Sequence, residues 1–156
     1  MNIGIVVPHL GLSQISFYAI KEVNRLVDEK HSDDITLFFE HLTPSVIPPK
    51  CAVMCVNEIM SFKGTIITTT LDTTLMTLAR NTRKDNRVVF YVWDLEWMRP
   101  QKNNYLSNYQ IFNSVHKLVA RSDNHAKAIE NYTNRNVDAI VKEFNVQEII
   151  RAEISL

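Results

Sequence analysis

The segment "RVVFYVWDLEWMRP", residues 87–100, sets two carboxylates, Asp94 and Glu96, between Trp93 and Trp97, the only tryptophans in the chain. Acid–base chemistry needs ionisable groups held beside a substrate, and flat indole rings offer sugars and bases a dry surface to stack on. Residues two apart on an extended segment point the same way, so Asp94 and Glu96 are expected to act as a pair. That pair is either catalytic or hydroxyl-binding, or it is a solvated rim. Polar groups follow other apolar runs as well. His9, Gly11 and Ser13 follow the first, Thr70 and Asp72 close "GTIITTTLD", and Arg121, Ser122 and His125 come after "KLVA". Gathered in one crevice, a carboxylate, two imidazoles and a guanidinium suit acid–base catalysis or the binding of a phosphate or sugar. Plainer roles compete with these. Ser13, Asp72, Ser122 and Asp123 have the chemistry of helix N-caps, His9 can bond backbone, and His125 can lie on the surface.

The elements that would position these groups alternate in period. "IGIVVPHL" reads as a buried strand broken by Pro8. From Ser13 the period becomes helical, with Ile15, Ala19, Val23, Leu26 and Val27 on one face. "DITLFFEH", "CAVMCV", "GTIITTTL", "VVFYVW", "KLVARS" and "VDAIV" read as further strands. Helices are expected from Asp72, carrying Leu75, Met76, Leu78 and Ala79, and after Pro100, where Tyr105, Tyr109, Phe112 and Val115 recur at helical spacing. Two more are expected, from Ser122 or Asp123 and from Asn145 onward. Strands apolar on both faces, alternating with amphipathic helices, predict an α/β fold: a Rossmann-like, doubly wound, mainly parallel sheet with helices on both faces. In such sheets ligands bind outside the carboxyl ends of the strands, near the point where strand order reverses. The residues named above all fall at such ends.

Composition bounds the reading. The chain of 156 residues fits one domain over 1–156, and burying roughly 70% of its unfolded surface requires no metal or disulfide staple. Seventeen basic and seventeen acidic side chains cancel, which argues against a whole-surface nucleic-acid or membrane partner. The local run Arg80, Arg83, Lys84, Arg87, Arg99 and Lys102 is a solvated face or, alternatively, a nucleic-acid-contacting edge. Cys51 and Cys55 are expected on one strand face, too far apart to bond, as free thiols of a reducing compartment. The start has no basic n-region and no apolar run is long enough to span a membrane, so a cytoplasmic location is expected. There is no G-x-G-x-x-G after the first strand, no P-loop, no G-x-S-x-G elbow and no His or Cys cluster with ligand spacing. Neither a cofactor nor a metal is expected.

The order "IGIVVPHLGLSQISFYAIKEVNRL", "GTIITTTLDTT", "VVFYVWDLEWM", "HKLVARSDNHAKAIENYTN", "VDAIVKEFNVQEI" resembles the N-terminal half of a GT-B glycosyltransferase, closest to the family 4 group and phage-encoded relatives. "LVARSDNHAKAI" is similar to the segment where those enzymes carry a strand, a Ser and a helix, and "VKEFNVQEI" resembles the linker to their second domain. The resemblance implies an acceptor-side domain of a hexosyl or pentosyl transferase. His9 and Asp94 are then the catalytic candidates. Gly11, Ser13, Asp72, Glu96, Arg121, Ser122 and His125 are the substrate-binding ones. Family members bind the nucleotide-sugar on a C-terminal domain that this sequence does not contain, and the paired glycines after their first strand are missing here. Sugar transfer is therefore expected to need a partner chain. The alternative is a non-catalytic binding or assembly module on the same scaffold. Either way Trp97, Met98 and Pro100 are expected on a cleft-facing apolar surface covered by a partner or a second copy.

Overall fold

The computed structural model describes residues 1–155. Seven strands form one wholly parallel sheet: β1 (Asn2–Val7), β2 (Asp34–Phe39), β3 (Ala52–Cys55), β4 (Thr65–Thr68), β5 (Arg87–Val92), β6 (Lys117–Ala120) and β7 (Ala139–Ile140). Their order is β3-β2-β1-β4-β5-β6-β7, so the chain winds outward in both directions from the β1/β4 boundary. That is the doubly wound Rossmann-like α/β arrangement that the alternating apolar runs predict.

Side-chain alternation along each strand sends residues to two layers. Ile3, Ile5, Val7, Leu37, Ile67, Val89, Tyr91 and Val119 pack on one face against α1 (Gln14–Asp28) and α5 (Val146–Ile154). On the opposite face Val88, Phe90, Val92, Leu118 and Ala120 pack against α3 (Tyr105–Ser114) and α4 (Asp123–Thr133). The same face continues under α2 (Leu71–Arg80) and a 3₁₀ turn over Val56–Ser61, through Val6, Phe38 and Ile66. Gly4 lets the rings of Phe38 and Phe62 lie against the β1 backbone, since a Cβ there would stand 3.0 Å from Phe38 and 3.2 Å from Phe62.

The helix faces depart from a hydropathy reading in three places. In α1, Ser16 and Ile20 complete the buried stripe while Val27 is 40% exposed. In α2 the buried residues are Leu71, Thr73, Thr74 and Thr77, whereas Leu75 is 48% exposed. Thr73 and Thr74 bury with satisfied hydroxyls, Thr74 Oγ1 donating to Thr70 O at 2.6 Å, as does Thr69 Oγ1 to Val6 O at 2.8 Å just before the helix, whereas Thr77 Oγ1 is buried without a partner among the described residues. In α3, Asn108, Ile111 and Phe112 face inward, while Tyr105 and Tyr109 are exposed. Cys51 and Cys55 are free thiols, but they pack on opposite layers, because the chain turns into the 3₁₀ segment straight after Cys55. No helix among the described residues is long and apolar enough to cross a membrane.

Candidate functional site

The carboxyl ends of the strands hold three separate groupings of the residues singled out in the sequence. The first is the turn after β1. His9 Nδ1 accepts the Gly11 N–H at 3.0 Å, and the Ser16 hydroxyl donates to His9 O. Ser13 is the N-cap of α1 and accepts the Ser16 N–H at 3.1 Å. Gly11 fits because a Cβ would lie 2.9 Å from Thr43 Oγ1 and 3.3 Å from His9 Nδ1. With Nδ1 accepting, a neutral His9 carries its proton on Nε2. In that state the ring can donate to a ligand but has no lone pair free to act as a base.

The second grouping surrounds the start of α2. Thr70 is the N-cap here and Asp72 is not: Thr70 and Thr73 form a reciprocal capping box. Asp72 lies in the first turn and pairs with Lys102. Glu96 approaches the same helix end from a 3₁₀ turn (Glu96–Met98), and its Oε2 accepts the Leu71 N–H at 2.7 Å. Glu96 is 7% exposed, and burial pushes its carboxyl up from the usual 4.5 to about 7. The Leu71 N–H works against that rise, the Asp72 charge adds to it, and Lys102 and Arg99 oppose it.

Asp94 does not share this environment. Its side chain is 53% exposed and pairs with Arg99 at 3.2 Å, so the expected Asp94–Glu96 pair is split between surface and interior. Trp97 corrects a second expectation. It is 9% exposed, stacked on Tyr132 with ring centroids 4.4 Å apart and edge-on to Phe112. It is therefore part of the core under α3 and α4 and not of an open surface. Met98 and Pro100 are exposed as expected, Met98 at 73%.

The third grouping lines a cleft of about 380 Å³ at the carboxyl ends of β5, β6 and β7. Trp93, at the end of β5, forms the floor with Tyr18 from α1, their ring centroids 5.2 Å apart. Arg121 leaves β6 and lays its guanidinium 4.1 Å from the Trp93 ring centroid, while one N–H donates to Trp93 O at 3.2 Å. Ser122 is the N-cap of α4 and accepts the His125 N–H. The His125 Nδ1 is buried with no partner among the described residues. Burial, and then the Arg121 charge, hold this imidazole below its ordinary range, while the nearby Asp94 charge opposes the shift. Lys142 and Glu143 close the cleft from the loop after β7.

That last loop was absent from the sequence reading of the site. Glu143 and Phe144 are consecutive non-glycine residues in the left-handed region, with φ of 54° and 58°. Such conformations persist where surrounding contacts hold them. The buried Tyr91 hydroxyl does so here, donating to Val141 O at 2.6 Å and accepting the Phe144 N–H at 3.3 Å. The signal available beforehand was a tyrosine inside an otherwise hydrocarbon strand, because a buried phenol seeks a partner.

The arrangement offers stacking, hydrogen-bond donation and a fixed cation in one cleft, with a protonatable carboxyl held separately at the α2 terminus. Among the described residues no group of three or more His, Cys, Asp or Glu is arranged to hold a metal ion. No protein-family model matches the sequence, and no curated protein matches it either.

Proposed function

We propose that the chain is a sugar-binding, acceptor-side domain of the GT-B glycosyltransferase type, with hexosyl or pentosyl transfer requiring a donor-binding partner. The supporting observation is the cleft at the ends of β5, β6 and β7. Its half-buried Tyr18 ring offers an apolar face to a pyranose or furanose ring, while Trp93 lies buried beneath Arg121 and supports it. Arg121, Ser122 and His125 present polar groups around the cleft, as recognition of ring hydroxyls requires.

One observation favours the non-catalytic form of this reading. His9 Nδ1 is engaged by Gly11, and Asp94 is paired with Arg99. The Nδ1 of His9 is thus not free to take a proton from an acceptor hydroxyl, and Asp94 would have to do so while paired with a guanidinium. Glu96, whose carboxyl sits near neutrality, is the better acid–base candidate.

Saturation-transfer NMR on the full chain, with a panel of neutral hexoses and pentoses, tests the reading. Transfer to ring protons, lost in Tyr18→Ala, is the expected result. No transfer from any sugar refutes it. Calorimetric titration with nucleotide-sugars is expected to give no binding in the micromolar range, and micromolar affinity would reassign the chain to the donor side.

A further inference from the structure

Arg121 is a half-buried cation that no carboxylate pairs with among the described residues. Its contacts are the Trp93 ring and the Trp93 carbonyl, which together fix the plane of the guanidinium. A guanidinium has five N–H donors in a rigid fork, and only one is used here. Lys142, on the same cleft, forms no ion pair among the described residues either. Glu143 on the same cleft offsets one of these two charges, which leaves the lining with one net positive charge. Asp94 is held by Arg99, and Glu143 lies on the cleft wall without pairing to Arg121. Burial and the Arg121 charge disfavour the protonated form of His125, whose Nδ1 has no partner among the described residues.

We infer that this cleft binds an oxyanion, the phosphate or carboxylate of a larger ligand, with Arg121 as its bidentate anchor and Lys142 as a second cation. Planar forks match oxyanion geometry, and charge-assisted bonds of this kind are about twice as strong as neutral ones. The Ser122 hydroxyl, whose oxygen accepts from His125, has its own proton to donate. The Tyr91 hydroxyl holds the backbone on either side of Lys142, which lines the same cleft as Arg121. In combination with the sugar-binding reading, on which this part rests, the ligand class is an acidic sugar. The oxyanion contact itself rests on Arg121 and the cleft.

The experiment compares glucose, glucose 6-phosphate, glucuronate and inorganic phosphate by calorimetric titration against the full chain, its Arg121→Gln variant and its Lys142→Gln variant. One or both acidic sugars are expected to bind at least about tenfold more tightly than glucose, the scale of one charge-assisted contact. Which of the two gains tells phosphate from carboxylate. Arg121→Gln is expected to remove the gain without altering the circular-dichroism spectrum, and Lys142→Gln to reduce it. Equal binding of glucose and both acids overturns the oxyanion site while leaving the sugar reading intact. Binding of inorganic phosphate that depends on Arg121, with no binding of any sugar, overturns the sugar reading and keeps the oxyanion site. No binding of any probe, or anion binding unchanged in Arg121→Gln, overturns the oxyanion site.

Discussion

Replacing Glu96 with Gln should stabilise the protein in neutral and alkaline solution and do little in acid. The Glu96 carboxyl titrates near 7 when folded and near 4.5 when exposed, chiefly because burial penalises its charge. Below the unfolded value both states are protonated and no penalty exists. As pH rises from 4.5 towards 7 the unfolded state releases its proton and the folded state keeps it, so stability falls. Above the folded value both are ionised, and the loss is complete. A gap of about 2.5 units corresponds to about 3 kcal/mol. Gln is an uncharged isostere of the protonated acid and retains an oxygen for the Leu71 N–H. Urea unfolding of both proteins at about pH 5 and about pH 8 reads the effect, since the titration of other groups cancels in the difference. The advantage of Glu96→Gln should grow by about 2–3 kcal/mol between those two values. A difference independent of pH would refute the reasoning. So would a variant less stable than the parent at the higher pH, because it would mean the charged carboxylate is a net stabiliser at the α2 terminus.

Two further substitutions separate packing from surface roles. Trp97→Ala removes an indole stacked on Tyr132 and edge-on to Phe112, and should cost about 3–5 kcal/mol in denaturant unfolding. A loss under about 1 kcal/mol would mean that Trp97 is not part of the core. Tyr91→Phe leaves Val141 O and Phe144 N without their hydroxyl partner and should cost about 1–3 kcal/mol. In that variant the Phe144 amide should exchange faster than in the parent, and unchanged protection would show that the loop is held by other contacts.

The fold was legible because its central strands are apolar on both faces. "VVFYVW" has no polar side to turn to water, so it reads as an interior parallel strand, and β5 does lie between β4 and β6. Helix faces were less legible where polar side chains satisfy one another. Thr73 and Thr74 are as buried as leucines because the capping box and the Thr68–Thr74 contact use their hydroxyls. Hydropathy alone therefore singles out Leu75, Met76, Leu78 and Ala79 in α2 and misses the threonines that are buried. The same threonines made "GTIITTTL" read longer than the strand that forms, Thr65–Thr68, which moved the expected cap from Thr70 to Asp72. Of the site residues, Arg121, Ser122 and His125 were legible as one group, because a strand end and the helix that follows it keep them together. The Trp97–Tyr132 stack joins residues that no local pattern relates, so the ring read as a surface feature.

Asp94 and Glu96 show why alternation failed at the point of most interest. Period-two alternation holds only while a strand is paired, and the β5–β6 ladder ends at Val92 opposite Ala120. Beyond it the chain answers to another demand. The first N–H groups of α2 have no partner within the helix. Thr70 satisfies the N–H of Thr73, and the N–H of Leu71 is met by Glu96, 25 residues further along the chain. Reaching it draws Glu96 inward through a three-residue 3₁₀ turn, and the same turn carries Trp97 into the layer with Phe112. Asp94, one residue past Trp93, is left outside with Arg99. Two carboxylates separated by one leucine thus come to occupy different environments. Asp94 sits in water beside a guanidinium, and Glu96 sits in the core edge, where a proton is gained or lost near neutral pH. Its position in the sequence gave Glu96 no more claim to that environment than Asp94.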